Sequence, residues 1–292
     1  RIGLLQQSCT TLGHSTGPWT GECGRSWFRC LAAGSAAAWC SYTGNARSMC
    51  DTSIDSRTVT LTVDLVESSQ SSSGLDKCAI VFVHGLDSWR GTFSSATEEL
   101  ARRGFRSLSV DLRGHGESPL GCPDDFGPKQ LAADIRLAAS RGGLFKSGSK
   151  IVLVGHSMGG RVAMRYAAEY PEDLVALIIE DMDCVTRKFK PLSESALQRR
   201  RCFTRDYPSW EEARADLISF GYDAARVDGW TTEKNPRVFS KGANGAVWSC
   251  VNPHAQHLAR TTVLASKDGQ AALMMIAALR ASGQWQFPVH VL

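Results

Sequence analysis

The sequence predicts an α/β fold in which a mostly parallel sheet is covered by helices on both faces. Three observations predict it. Apolar strand-like runs alternate with segments of helical periodicity from about residue 54 to residue 183. Those runs are continuous in branched residues, as strands buried on both faces should be. One of them, Ile151-Val152-Leu153-Val154, leads directly into Gly155-His156-Ser157-Met158-Gly159-Gly160. That junction reads as strand, tight turn, helix, with a serine at the bend.

The elements follow in order. Val59, Leu61, Val63 and Leu65 alternate with Thr60, Thr62, Asp64 and Val66, which predicts a first antiparallel strand. Residues 67–74 are serine-rich and form a loop. A strand ends at Val83, a helix covers about 93–103, and a strand covers 105–110. A helix near 129–140 carries Leu131, Ile135 and Leu137. The serine strand comes next, and its helix places Val162, Ala163, Tyr166, Ala167 and Tyr170 at helical spacing before Pro171. Leu174-Val175-Ala176-Leu177-Ile178-Ile179 is another buried strand, ending in Glu180-Asp181-Met182-Asp183.

Residues 185–284 break the alternation and are expected to form a helical cap inserted into the core. Ser209-Trp210-Glu211-Glu212 fits a capping box, after which Trp210, Ala213, Leu217 and Phe220 share one face. A second cap helix, about 270–281, carries Leu273, Met274, Ile276 and Leu279; a methionine face of this kind suits an acyl pocket, with plain packing on the core as the alternative. Residues 285–292 start a further core strand. The domain organisation expected is therefore a leader at 1–53, a core at 54–184, a cap at 185–284 and the truncated strand at 285–292.

Composition narrows the classes. The chain has 292 residues, 43% hydrophobic and 21% charged, with a formal net charge of +4. That is long enough for one large core and a smaller lid. The charge is too modest, and too free of interleaved aromatics, to argue for nucleic acid. No run approaches the length of a transmembrane helix. One basic cluster (Arg187, Lys188, Lys190, Arg199, Arg200, Arg201, Arg205) reads as a solvated lid face. Of ten cysteines, five precede residue 51, and none forms C-x-x-C or a zinc-finger grouping with histidine. The first fifty residues hold four arginines and one acidic residue. That composition resembles an organelle transit segment, with a disordered leader as the alternative.

Two further motifs lie upstream of the serine. Ala79-Ile80-Val81-Phe82-Val83 runs into His84-Gly85-Leu86, and Leu108-Ser109-Val110 runs into Asp111-Leu112-Arg113-Gly114-His115-Gly116-Glu117-Ser118. In this order, His-Gly-x, D-x-R-G-H-G-x-S and G-H-S-M-G-G resemble the α/β-hydrolase superfamily, in its esterase, lipase and acyl-hydrolase branch. The resemblance is close over residues 58–183 and resumes at Phe287. It implies Ser157 as nucleophile and the amides of Met158 and Leu86 as an oxyanion hole. It implies turn-shaping duties for His84, His115 and His156, and loop-organising duties for Asp111 and Arg113. Dehalogenases and epoxide hydrolases of the superfamily carry aspartate where Ser157 stands, so the resemblance points to acyl transfer. The partner implied is a small-molecule acyl ester or thioester, with no cofactor and no metal.

The fold expects the triad in the order serine, acid, histidine. Asp181 matches the acid position of some small esterases, with Asp183 next. Family members continue past a strand like Phe287-Pro288-Val289-His290-Val291-Leu292 with another strand, a histidine-bearing loop and a last helix. The expectation is thus of a C-terminally incomplete sequence whose base lies beyond Leu292. His254 and His257, spaced i, i+3, are weaker candidates for base or metal ligand, and His290 sits in a strand pattern. The first reading is a serine hydrolase acting on an ester or thioester. The alternatives are a receptor or scaffold on the same fold with little or no turnover, and lyase, carbon–carbon hydrolase or cofactor-free peroxidase chemistry.

Overall fold

The structure is a computed structural model. The structure describes residues 57–68, 78–188, 193, 195, 206–230, 239–241, 244–285 and 287–292. The leader and most of the basic cluster, Lys190 and Arg199 to Arg205, lie outside the described residues.

A six-stranded sheet forms the centre. Its strands are β1 (Val63–Val66), β2 (Cys78–Val83), β3 (Arg106–Val110), β4 (Lys150–His156), β5 (Leu174–Glu180) and β9 (Val289–Val291), in the order β1-β3-β2-β4-β5-β9. Only β1 is antiparallel to its neighbour. All six residues of β2 and the five inner residues of β4 are buried, as their unbroken apolar runs require. The expected first strand is shorter than its alternating pattern. The Val59 amide donates to Asp134 Oδ1 (3.0 Å) and the Thr62 amide to Ser118 Oγ (2.8 Å), so side chains rather than a ladder hold its first half.

The helices α1 (Ser94–Arg102), α2 (Pro128–Arg141) and α3 (Met158–Glu169) alternate with these strands. Leu131, Ile135, Val162, Ala163 and Tyr166 are fully buried in the main core. Each large aliphatic side chain among them contributes on the order of 2 kcal/mol through burial.

The inserted stretch is not helical throughout. The two-residue strand β6 (Asp206–Tyr207) and the three-residue strands β7 (Phe239–Lys241) and β8 (Val247–Ser249) make an antiparallel sheet, ordered β6-β8-β7. Strands this short carry no readable alternation. With α4 (Trp210–Ser219) and α5 (Ala224–Asp228) they enclose a separate apolar cluster of Tyr207, Ala213, Leu217, Val227, Phe239 and Val247. The Glu212 amide donates to Ser209 Oγ (3.3 Å), so the expected N-cap forms.

The later part of the stretch joins the main core. There α6 (Pro253–Leu258), a π-helical turn (Ala259–Leu264) and α7 (Asp268–Ala281) contribute Ala255, Ala259, Val263, Ala272 and Ile276. The expectation of a methionine-lined acyl pocket fails at Met274. That side chain is 73% exposed, while Ala272 and Ile276 make the contact with the core. An apolar helix with methionine and alanine on several sides gives no clear sequence signal of which face is buried.

Candidate active site

The site starts with the bend after β4. Ser157 has φ 51° and ψ −125°, a left-handed conformation that costs a non-glycine residue on the order of 1–3 kcal/mol. The bend survives because its surroundings over-determine it. The Ser157 amide donates to Glu180 O (2.8 Å) and the Gly160 amide to Ser157 O (2.8 Å). The glycines around it are sterically required. A Cβ at Gly155 would stand 2.4 Å from Gly159 O, and one at Gly159 would stand 2.3 Å from Val83 O and 2.5 Å from His84 O. The first turn of α3 is therefore pressed against the end of β2. Ser157 is half-buried, and Met158, the first helical residue, is fully buried. The Met158 amide has no carbonyl of its own helix to pair with.

The turn after β2 closes on the same point. A Cβ added to Gly85 would lie 3.1 Å from Ser157 Cβ and 3.2 Å from His156 Nδ1. Leu86 follows, half-buried. His84 braces this turn: its Nε2 accepts from the Leu112 amide (3.0 Å), so Nδ1 carries the proton and donates to Gly85 O (2.7 Å). Burial, together with His115 5.2 Å away, holds the His84 pKa well below the usual histidine range. His115 places Nε2 3.1 Å from Leu86 O and Nδ1 3.1 Å from Arg113 O, and burial lowers its pKa too.

The neighbouring D-x-R-G-H-G loop is structural. Asp111 accepts from the amides of Arg90 (2.7 Å) and Glu117 (3.0 Å) and pairs with the Arg90 guanidinium. Arg113 and Asp134 form a fully buried ion pair with two bonds of 2.6 and 2.8 Å.

The two candidate acids differ sharply in their surroundings. The β4–β5 register pairs His156 with Glu180, so Asp181 follows the end of β5 as Ser157 follows the end of β4. Asp181 is exposed, has φ 49°, and its amide donates to Leu292 O (3.1 Å). Asp183 instead lies 3.2 Å from the buried Arg161 and 3.2 Å from Arg187, and accepts from the Val185 amide (2.9 Å). Burial lowers the Arg161 pKa, and its Nε and Nη1 have no hydrogen-bond partner among the described residues.

The remaining histidine candidates lie on α6 and β9. His254 and His257 are exposed on α6, and His290 pairs with Ile178 in the β5–β9 ladder. No group of three or more His, Cys, Asp or Glu suited to a metal occurs among the described residues. No helix among them is long and apolar enough to cross a membrane. Two residues at the site gave no sequence signal. Arg161 sits one helical turn after Ser157, and Gln256, 4% exposed on α6, donates through Nε2 to Asp87 Oδ1 beside Leu86.

Sheet order, the strained serine bend and the His-Gly turn beside it define an α/β-hydrolase architecture. A profile of the alpha/beta hydrolase family matches residues 80–291, and the chain belongs to that family. Among curated proteins, sn-1-specific diacylglycerol lipase ABHD11 of Mus musculus is 37% identical over 108 residues, covering 37% of this chain and 33% of that protein. Protein phosphatase methylesterase 1 of Schizosaccharomyces pombe is 38% identical over 93 residues, covering 30% of this chain and 27% of that protein. The matches thus span about a third or less of these relatives. Among solved structures, a marine microorganism esterase has a TM-score of 0.51 at 19% identity, covering 72% of this chain and 75% of its own, which supports the fold.

Proposed function

We propose that this protein is a serine hydrolase that cleaves a carboxylic ester or thioester of a small molecule through an acyl-enzyme on Ser157. The observation that carries the reading is the placement of Ser157 on a strained bend, so close to the turn after β2 that a Cβ at Gly85 would lie 3.1 Å from the Ser157 Cβ. Ser157 Oγ attacks the acyl carbon and gives its proton to a general base, a role this reading gives to none of the described histidines. The carbonyl oxygen becomes an oxyanion that accepts from the Met158 and Leu86 amides, each worth roughly 3–4 kcal/mol of barrier. The bond to the leaving oxygen or sulfur then breaks, and the leaving group takes the proton. Water attacks the acyl carbon next and frees the acid.

Asp181 is the acid of this reading. It follows the end of β5 as Ser157 follows the end of β4 and is exposed, whereas Asp183 is held by Arg161 and Arg187. His84 and His115 do not serve as the base, because both ring nitrogens of each already face backbone groups and burial keeps the rings neutral. The lobe of β6–β8, α4 and α5 is the cap that frames the acyl group. The names of the relatives, a lipase and a methylesterase, agree with ester chemistry. A fluorophosphonate probe tests the proposal: it labels the wild type and not Ser157→Ala. Absence of labelling, or a label that survives the substitution, overturns it.

A further inference from the structure

The loop that carries Leu86 is gripped by the segment that returns from the cap lobe. Gln256 on α6 donates to Asp87, the residue after Leu86. Trp248 on β8 stacks edge-on against Trp89 with ring centroids 6.0 Å apart. Between them in sequence, Cys250 O accepts from the Gly116 amide (3.1 Å), in the loop whose His115 reaches Leu86 O. Three contacts from residues 248–256 thus fall on the oxyanion turn and the loop that braces it. Gln256 is 4% exposed, although glutamine is ordinarily a surface residue, and its bond ties residues 169 positions apart. A buried amide that directs its N–H at a carboxylate is a charge-assisted contact, stronger and more directional than a neutral one.

We propose that Gln256 is a positioning residue: through Asp87 it fixes the Leu86 amide that forms part of the oxyanion hole. The inference rests on the hydrolase reading. The carboxylate of Asp87 does not touch substrate. It anchors the far side of the peptide unit that presents the donor, opposite the anchor that His84 provides at Gly85.

The test uses the full chain with Asp87→Ala, Gln256→Leu, Gln256→Glu and the double variant Gln256→Glu/Asp87→Asn. The double variant reverses the polarity of the bond while keeping it. Each is read by labelling rate with a fluorophosphonate, by turnover of a short acetyl ester, and by hydrogen exchange of the peptide covering residues 84–90. Asp87 is exposed, so its substitution opens no cavity and removes the acceptor of the Gln256 bond. Asp87→Ala and Gln256→Leu are expected to lower kcat about tenfold or more with little change in KM, since a displaced oxyanion donor acts on the transition state. Both should speed exchange at 84–90 and leave residues 158–169 unchanged.

Gln256→Glu opposes two carboxylates. Its loss, relative to wild type at the same pH, should shrink as pH falls and the pair shares a proton. The double variant should recover most of the rate. Unchanged exchange at 84–90 with unchanged kcat, or a double variant as slow as Gln256→Glu alone, overturns the inference. If the wild type shows no labelling at Ser157, the hydrolase reading fails instead, and exchange at 84–90 still reports whether Gln256 holds the turn.

Discussion

Substituting Gly159 by alanine probes the geometry of the site most economically. A methyl group there would lie 2.3 Å from Val83 O and 2.5 Å from His84 O. Ordinary carbon–oxygen contacts run about 3.3–3.6 Å, so roughly 1 Å must be found. Both obstacles are backbone oxygens at the end of a buried central strand, and neither can rotate away. Alanine has the better helix propensity by about 1 kcal/mol. Overpacking costs about 1–3 kcal/mol, and here it faces rigid atoms, so the clash wins and the net effect is destabilisation of about 1–2 kcal/mol. At about 2–4 °C per kcal/mol, the melting temperature should drop by several degrees.

The effect on chemistry should be larger. Relief of the clash moves α3 away from β2 and carries the Met158 amide with it. A misplacement of about 1 Å costs on the order of 100-fold in rate. The control is Gly160→Ala. Its nearest atoms are Ile179 Cγ2 and Met182 Cβ at 3.1 Å and Gly155 O at 3.3 Å, so shifts of a few tenths of an ångström suffice. Fluorophosphonate labelling rates and calorimetric melting of both variants decide the matter. A Gly159→Ala protein that labels and melts like the wild type, or that loses no more than Gly160→Ala, would refute the reasoning.

Other expectations follow from the same contacts. Asp181→Asn should keep the melting temperature within about 1–2 °C while cutting turnover by about 10³-fold or more; Asp183→Asn should do the reverse, losing about 1–3 kcal/mol by leaving the buried Arg161 poorly paired, with turnover largely retained. Equal rate losses in the two would overturn the choice of acid. His84 is held neutral in the folded protein, whereas in the unfolded chain it titrates near 6.5. Its contribution is thus constant above about pH 6.5, and stability is lost as pH falls from there toward the depressed folded value, by up to about 1.4 kcal/mol per pH unit. Urea midpoints between pH 7.5 and 5.5 should show that slope and lose about one proton's worth of it in His84→Gln; an unchanged slope would contradict the buried neutral ring.

The sequence made the parallel core legible because β2 and β4 are buried on both faces and so appear as unbroken apolar runs. The serine bend was legible for a related reason: a Cβ at Gly155 or Gly159 would stand 2.3–2.4 Å from backbone oxygens, so only glycine fits. What stayed hidden depends on tertiary partners. The expected strand from Val59 is shortened by Asp134 and Ser118, side chains 75 and 56 residues away. The cap sheet consists of strands of two and three residues, below any readable period. Which face of α7 is buried was settled by contact with the core, not by its nearly uniform apolar composition. Gln256 carried no local signal at all, since its partner lies 169 residues upstream.

The most direct measurement traps the intermediate. The full chain is mixed with an activated ester, quenched in acid, digested, and the peptides are weighed. The account predicts a mass increase of one acyl group on the peptide bearing Ser157, formed faster than it is lost. Ester turnover with that peptide unmodified, or with the acyl group on another residue, would contradict it.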